Sequence, residues 1–155
     1  MSTLKVENLQ KLNGSTFPVG KIGQVVQSRI TGNDEVTTTS SSFSSCGISL
    51  NITPIATSSK ILVTFNSGGY ANNNDWTLCK VDRDGTNISG DIYFRNTGLG
   101  GTLQSHFNTT FLDEPASQSQ LTYHIQFRAP SGTARIGSTS GASLIAMEVL
   151  AWVQN

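Results

Sequence analysis

The feature that most constrains the fold of this chain is the period of its apolar residues, which alternate with polar ones in short runs. No apolar period of 3.6 residues is sustained over ten residues anywhere, so amphipathic helices are not expected. In the clearest run, from Gln120 to Arg128, the apolar positions are Leu121, Tyr123, Ile125 and Phe127. One side of such a strand faces a core and the other faces water. The pattern therefore predicts an all-β chain.

Further strands are expected wherever an alternating run is bounded by turn residues. They are predicted at residues 23–30, 48–52, 61–66, 76–81, 91–95, 106–112, 133–137 and 143–153. The segment Asp82-Arg83-Asp84-Gly85 is a hairpin turn signal, because Asp and Gly tolerate the positive φ of tight turns, and Thr86 begins the return strand. Eight or nine strands in about 130 residues, without helical crossovers, predict an antiparallel β-sandwich or jelly roll.

The last predicted strand, Ser143 to Val153, is apolar on both of its sides. One side carries Leu144, Ala146, Leu150 and Trp152, and the other carries Ile145, Met147, Val149, Ala151 and Val153. Such a strand must be covered twice, once by the domain core and once by another surface. We therefore expect the second set of five residues to form an oligomer interface.

Glu148 is the single charge of that strand. An unpaired buried charge is costly, so we expect Glu148 to meet Arg128, Arg135 or a neighbouring subunit. The alternative is an exposed position at the edge of the sheet.

Residues 1–21 have a different pattern from the rest of the chain. Their larger apolar groups are Leu4, Val6, Leu9, Leu12 and Phe17, at spacings that change from strand-like to helix-like within a few residues. Neither pattern is long enough to bury itself. We expect an N-terminal anchoring arm at 1–21 that packs on another protein and a single β-sandwich domain at 22–155, with a frayed tail as the alternative to the arm.

Composition and charge exclude several classes of partner. Ten Lys and Arg balance ten Asp and Glu without a basic cluster, so the chain is not expected to bind nucleic acid. The longest apolar stretch, residues 144–153, is too short for a membrane helix, and the N-terminus lacks the apolar run of a signal peptide. Since 65 of the 155 residues are Ser, Thr, Asn or Gly, the polar surface consists mainly of hydroxyl and amide groups. We expect a protein made in a cytoplasm, without membrane insertion.

Residues that could carry catalysis or bind a metal are sparse. The two histidines, His106 and His124, each lie in an alternating strand pattern without a second ligand nearby. Cys46 and Cys79 lack metal-ligand spacing and are read as buried small hydrophobic residues, with a disulfide as the alternative. Asp113-Glu114 precedes a proline and indicates a turn rather than an acid and base pair. We therefore expect no cofactor, no metal and no enzymatic activity.

One predicted loop, Ser67 to Trp76, has the chemistry of a binding site. It combines aromatic groups that can stack on sugar faces with amides that can bond to hydroxyls, at Tyr70, Asn72, Asn73, Asn74 and Trp76. The alternative is a solvated loop whose two aromatic residues belong to the core.

Five segments, in this order along the chain, resemble small virion structural proteins of marine and cyanobacterial tailed phages, which are often called tail-fibre-like. They are MSTLKVENLQ with GSTFPVGKIGQVVQ, TTTSSSFSSCGISLNITPIATSSKILV, KVDRDGTNI, LTYHIQFRAPSGTARI and SLIAMEVLAWV. The resemblance covers most of the chain and is weakest from about Ile92 to Ala116.

The resemblance implies a β-sandwich module that forms homotrimers on a phage particle and is anchored by its N-terminal end. Its partners would be further copies of itself and virion proteins such as the major capsid protein or a tail adaptor, and its location the virion, assembled in the host cytoplasm. Because the β-domain leaves no length for a shaft, we expect a capsid decoration or head-fibre-like protein. The alternatives are a receptor-binding fibre tip or lectin-like module that recognises host surface glycan, and, more remotely, a polysaccharide-degrading enzyme.

Overall fold

The structure is a computed structural model that describes residues 21–32, 34–72, 75–95, 103–138 and 140–150. Within these ranges every regular element is a β-strand, and no helix capable of crossing a membrane occurs there. The strands are β1 (Lys21–Ile30), β2 (Val36–Thr38), β3 (Ser44–Ile52), β4 (Lys60–Ala71), β5 (Trp76–Arg83), β6 (Thr86–Asn87), β7 (Ile92–Arg95), β8 (Leu103–Asp113), β9 (Leu121–Ser131), β10 (Ala134–Ile136) and β11 (Ala142–Leu150). The prediction of an all-β chain is confirmed.

Two antiparallel sheets pack against each other. The four-stranded sheet has the order β1-β11-β4-β8, and the five-stranded sheet has the order β3-β9-β5-β6, with β7 also paired to β5. The short strands β2 and β10 pair with each other, and β6 forms a hairpin with β5. Among the remaining strands, successive strands enter opposite sheets, except for β5 and β7, which pair with each other in the five-stranded sheet. This is the strand order of a jelly roll, a form of β-sandwich.

The core lies between the two sheets and is supplied by alternate residues, as the sequence pattern predicts. On β3 and β9 the predicted inward positions are all buried, and on β4 and β11 the side chains of Val63, Phe65 and Leu144 are completely enclosed. The Asp82–Gly85 hairpin forms between β5 and β6, with positive φ at Asp84 and Gly85. Asp84 also bonds to the backbone of Thr122, which ties this hairpin to the start of β9.

The two cysteines lie in this core as free thiols. Cys46 is on β3 and Cys79 on β5, and β9 lies between these strands. Two strand spacings amount to about 9.5 Å, beyond the Cα separation of about 7 Å that a disulfide can bridge. Burial raises the pKa of both thiols, that of Cys46 to about 11, which keeps them protonated and unreactive.

Candidate functional site

The side of the four-stranded sheet that faces away from the core is called the outer face here. Directly paired residues of antiparallel strands point to the same side, so the register arranges the outer-face residues in rows across the sheet. Along the order β1, β11, β4 and β8, the apolar row is Val25, Met147, Leu62 and Leu112, the mixed row is Gln27, Ile145, Thr64 and Thr110, and the polar row is Arg29, Ser143, Asn66 and Asn108. The outer face is therefore apolar at one end and polar at the other.

The apolar end is open to solvent in the single chain. Next to the apolar row, Ile22 on β1 pairs with Val149 on β11, and the exposed fractions of Ile22, Val25 and Leu112 are 62%, 57% and 47%. We call the following six residues the apolar patch: Ile22, Val25, Leu62, Leu112, Met147 and Val149. Contiguous exposed apolar groups of this kind are typical of surfaces that contact another molecule.

The predicted interface residues fall on this outer face as far as the structure describes them. Ile145, Met147 and Val149 point outward and are half-buried, whereas Leu144 and Ala146 point into the core. Ala151 and Val153 lie outside the described residues. The sequence reasoning missed the rest of the apolar patch, because those residues lie on β1, β4 and β8 and only the strand register brings them together.

The predicted arm residues Leu4, Val6, Leu9, Leu12 and Phe17 also lie outside the described residues. The described part of the chain begins at Lys21, the first residue of β1, which is an edge strand of the four-stranded sheet. Lys21 pairs with Leu150 at the apolar end of the outer face. A segment that precedes β1 therefore starts from the border of the apolar patch.

The polar end of the outer face contains a cavity of about 420 Å³. The polar row contributes Arg29, Ser143, Asn66 and Asn108 to its lining, and Gln27 and His106 stand beside them. One wall is formed by the backbone around Gly68 and Gly141, where the N–H of Gly68 donates to the carbonyl oxygen of Gly141 over 2.9 Å. No motif in the sequence marks this cavity, since its residues come from four strands.

The predicted glycan-binding loop is shorter in the structure than in the sequence interpretation. Strand β4 continues to Ala71 and β5 begins at Trp76, so Tyr70 lies within β4 and only residues 72–75 connect the two strands. Asn73 and Asn74 lie outside the described residues. The Trp76 ring is half-buried and stacks under the Arg95 guanidinium, 4.9 Å from the ring centroid. Glycan binding by this connection stays a prediction.

Glu148 is fully buried, but the expected arginine partners were wrong. Its carboxylate accepts hydrogen bonds from the Gln24 side chain at 2.8 Å and the Ile55 backbone N–H at 2.7 Å. Burial raises the pKa of Glu148, but the Ser59 hydroxyl beside it, together with Gln24 and Ile55, outweighs burial and lowers the pKa overall. The Ser59 contact lies outside good hydrogen-bond geometry. Neutral donors, supplied by a bulge in β1 and the loop after β3, therefore hold this charge.

The two arginines that were expected to pair with Glu148, Arg128 and Arg135, contact other groups. Arg135 donates to Asp75 over 2.6 Å, and Asp75 also accepts hydrogen bonds from the backbone N–H groups of Asn72 and Thr133. Burial raises the pKa of Asp75, but these bonds outweigh it and lower the pKa, so the acid remains charged and fixes the β4–β5 connection. Arg128 lies on the opposite sheet, against the ring of Phe43.

The burial of Asp113 was also missed by the sequence reasoning, which assigned this acid to a turn with Glu114. Asp113 ends β8 and accepts hydrogen bonds from both the Arg83 guanidinium and the Tyr123 hydroxyl, the latter over 2.6 Å. Burial, followed by the bond to this carboxylate, raises the pKa of Tyr123. Glu114 pairs instead with Lys60 at the surface. The two adjacent acids therefore point apart and do not form an acid and base pair.

No protein-family model matches this chain. A comparison with curated protein sequences also found no match. The jelly-roll topology is shared by viral capsid domains, lectins and cupins, so it does not select one function. The outer face is therefore the part of the molecule that bears most directly on function.

Ser49, His124 and Asp82 invite comparison with a catalytic triad, because they lie in one row across β3, β9 and β5. The geometry does not support that role. The His124 Nε2 lies 3.9 Å from Asp82 Oδ1, too far for a hydrogen bond, and the described contacts of Ser49 include no bond to His124. The three residues form a polar row across the five-stranded sheet, in which Asp82 is buried and pairs with Lys80.

Proposed function

We propose that the protein is a non-enzymatic structural subunit of a bacteriophage particle and that three copies associate through the apolar patch. The apolar patch is the observation that supports assembly. Its six residues come from all four strands of one sheet and include three large side chains that are about half exposed. Burial of such side chains contributes about 25 cal/mol for each Å² removed from water.

The surroundings of the patch favour association with a second copy of the chain over a charged partner. Lys60 and Glu114, which border it on β4 and at the end of β8, already form an ion pair within one subunit. Lys21, at the beginning of β1, is the other charged residue at this border within the described ranges. When copies of the chain associate through their apolar patches, few charged groups therefore have to be removed from water.

The homotrimer and the phage particle are proposed from the sequence resemblance, with residues 1–21 as the segment that attaches the trimer to a neighbouring virion protein. A jelly roll suits such a role by analogy, because each of its two packed sheets has an outer face that is available for subunit contacts. Since β1 starts at the border of the apolar patch, an arm before it would leave each subunit close to the trimer contact. We place the trimer on the capsid surface.

The attachment step can be tested on particles from which the protein has been removed by gene deletion. Purified full-length protein is expected to rebind such particles, whereas a variant that lacks residues 2–17 should remain a folded trimer and fail to bind. Rebinding by the truncated variant would refute the arm. Quantitative mass spectrometry of intact virions then locates the protein, with hundreds of copies expected for a capsid decoration and about a dozen contradicting it in favour of a tail appendage.

A further inference from the structure

We propose that the cavity at the polar end of the outer face binds an acidic saccharide, through a sugar ring that carries a carboxylate. The cavity volume of about 420 Å³ lies within the range of about 300–1,000 Å³ that is usual for small-ligand sites. The cavity is open along one side, so a polymer could continue beyond the bound ring.

The charge of the lining selects an anion. Arg29 and His106 are the titratable residues of the described lining, which contains no Asp or Glu. Arg29 forms no ion pair with any residue that the structure describes. A guanidinium is a planar double donor that matches a carboxylate, and it retains its charge at every relevant pH.

The neutral groups of the lining select a polyhydroxylated ligand over a simple anion. Asn66, Asn108 and Gln27 each present both a donor and an acceptor, and the Ser143 hydroxyl can do the same. Sugar hydroxyls also donate and accept, so they can use both kinds of group. A phosphate carries more negative charge and fewer hydroxyl groups than a sugar ring, so a cluster of Lys and Arg would suit it better.

The wall of the cavity is held in place before any ligand arrives. The backbone N–H of Gly137 donates to the carbonyl of Gly68 and to the Ser67 hydroxyl, and Gly68 in turn donates to Gly141. A side chain at Gly68 would collide with the backbone of Ser138. A wall fixed in this way lowers the entropy cost of binding.

This inference does not depend on the proposed virion function. The polar row and the apolar row are separated by the distance from Ser143 to Met147 on β11, which is about 13 Å at 3.3 Å per residue. A copy that covers the apolar patch therefore leaves the cavity at or beyond the rim of the contact.

The test is to titrate isotopically labelled full-length protein with a trimer of galacturonic acid and to monitor the backbone signals by NMR. A galactose oligomer of the same length and sodium phosphate serve as the other two probes. We expect the uronate to bind best and to shift backbone signals around residues 27–29, 66, 106–108 and 143. Arg29→Gln should weaken uronate binding about tenfold or more, because a hydrogen bond to a charged group is lost. Arg29 is exposed, so the spectrum of this variant should remain that of the folded protein.

Arg95→Gln is the matched control, since Arg95 is an exposed arginine that packs on Trp76. Its affinity for the uronate should equal that of the unaltered protein. The proposal is overturned if the uronate does not bind at millimolar concentration, if phosphate binds equally well, or if Arg29→Gln binds as the unaltered protein does. Shifts centred on Trp76 together with loss of binding in Arg95→Gln would place the saccharide at the β4–β5 connection and would equally contradict it.

Discussion

Replacing Glu148 with glutamine tests how the buried charge of β11 is held. The carboxylate accepts a hydrogen bond from the Ile55 backbone N–H and one from the Gln24 side chain, which also donates to the carbonyl of Thr53. A glutamine amide offers one acceptor oxygen and one NH2 group. Gln24 cannot turn its oxygen toward that NH2 without losing its bond to Thr53, and the Ile55 N–H cannot turn at all. In Glu148→Gln, the new amide NH2 group therefore faces the NH2 group of Gln24 or the N–H of Ile55, and one hydrogen bond is lost.

The magnitude follows from these two bonds. Each hydrogen bond to a charged group contributes about 1.5–3 kcal/mol, against about 1 kcal/mol for a neutral one, and one of the two is lost. Glu148→Gln should therefore lower the free energy of unfolding by about 2–4 kcal/mol at pH 7. At roughly 3 °C per kcal/mol for a chain of this size, the melting temperature falls by about 6–12 °C. Urea denaturation followed by circular dichroism measures the loss.

Acid should remove this difference. The pKa of Glu148 in the folded protein is below its ordinary value of 4.5, so its stabilising effect is complete above that value and is lost as the pH falls through the lower, folded pKa. The gap between the unaltered protein and Glu148→Gln should therefore narrow as the pH is lowered from 5 toward 2. Glu114→Gln is the matched control, because its surface ion pair with Lys60 contributes at most about 1 kcal/mol. Equal stability of Glu148→Gln and the unaltered protein at pH 7, or a gap that does not change with pH, would refute the reasoning.

Two further substitutions test two of the other buried acids, Asp113 and Asp75. Tyr123→Phe removes the hydroxyl that donates to Asp113 and should lower the free energy of unfolding, measured by urea denaturation, by about 1.5–3 kcal/mol. An unchanged midpoint would show that Arg83 alone satisfies this carboxylate. Gly132→Ala should lower the free energy of unfolding by at least about 1 kcal/mol more than Gly90→Ala does in the same assay. Both glycines have positive φ, but a methyl group at Gly132 would press on Asp75, whereas the space around Gly90 is open. Equal losses in the two variants would contradict the role of Asp75 as the anchor of the β4–β5 connection.

The sequence was sufficient to predict those parts of the fold that depend on local alternation. Strands β3 and β9 were predicted with the correct inward faces, because Ile48, Leu50 and Ile52 and the matching positions of β9 alternate strictly with polar residues. Strand β2 was missed, since Val36–Thr38 has a single apolar residue and is a strand only because β10 pairs with it.

The partners of buried charges could not be predicted in the same way. Glu148 was expected to meet an arginine or a neighbouring subunit, but it is held by groups from β1 and from the loop after β3. Backbone and amide donors can satisfy a buried carboxylate equally well, and no local pattern marks them. The outer face illustrates the same limit. The apolar side of β11 was visible in the sequence, but its extension to Val25, Leu62 and Leu112 depends on register across four strands, which no single segment encodes.

The most direct test of the proposed assembly is the mass of the purified protein in solution, measured by light scattering for the unaltered chain and for Val25→Lys, Val149→Lys and Asn51→Lys. The unaltered chain should have a mass of about 50 kDa, three times the 16.5 kDa of one chain. Val25→Lys and Val149→Lys should be folded monomers, because each places an unpaired charge within the contact, while Asn51→Lys, on the outer side of the other sheet, should remain a trimer. A monomeric unaltered chain, or a trimer that persists in both apolar-patch variants, would contradict assembly through this face.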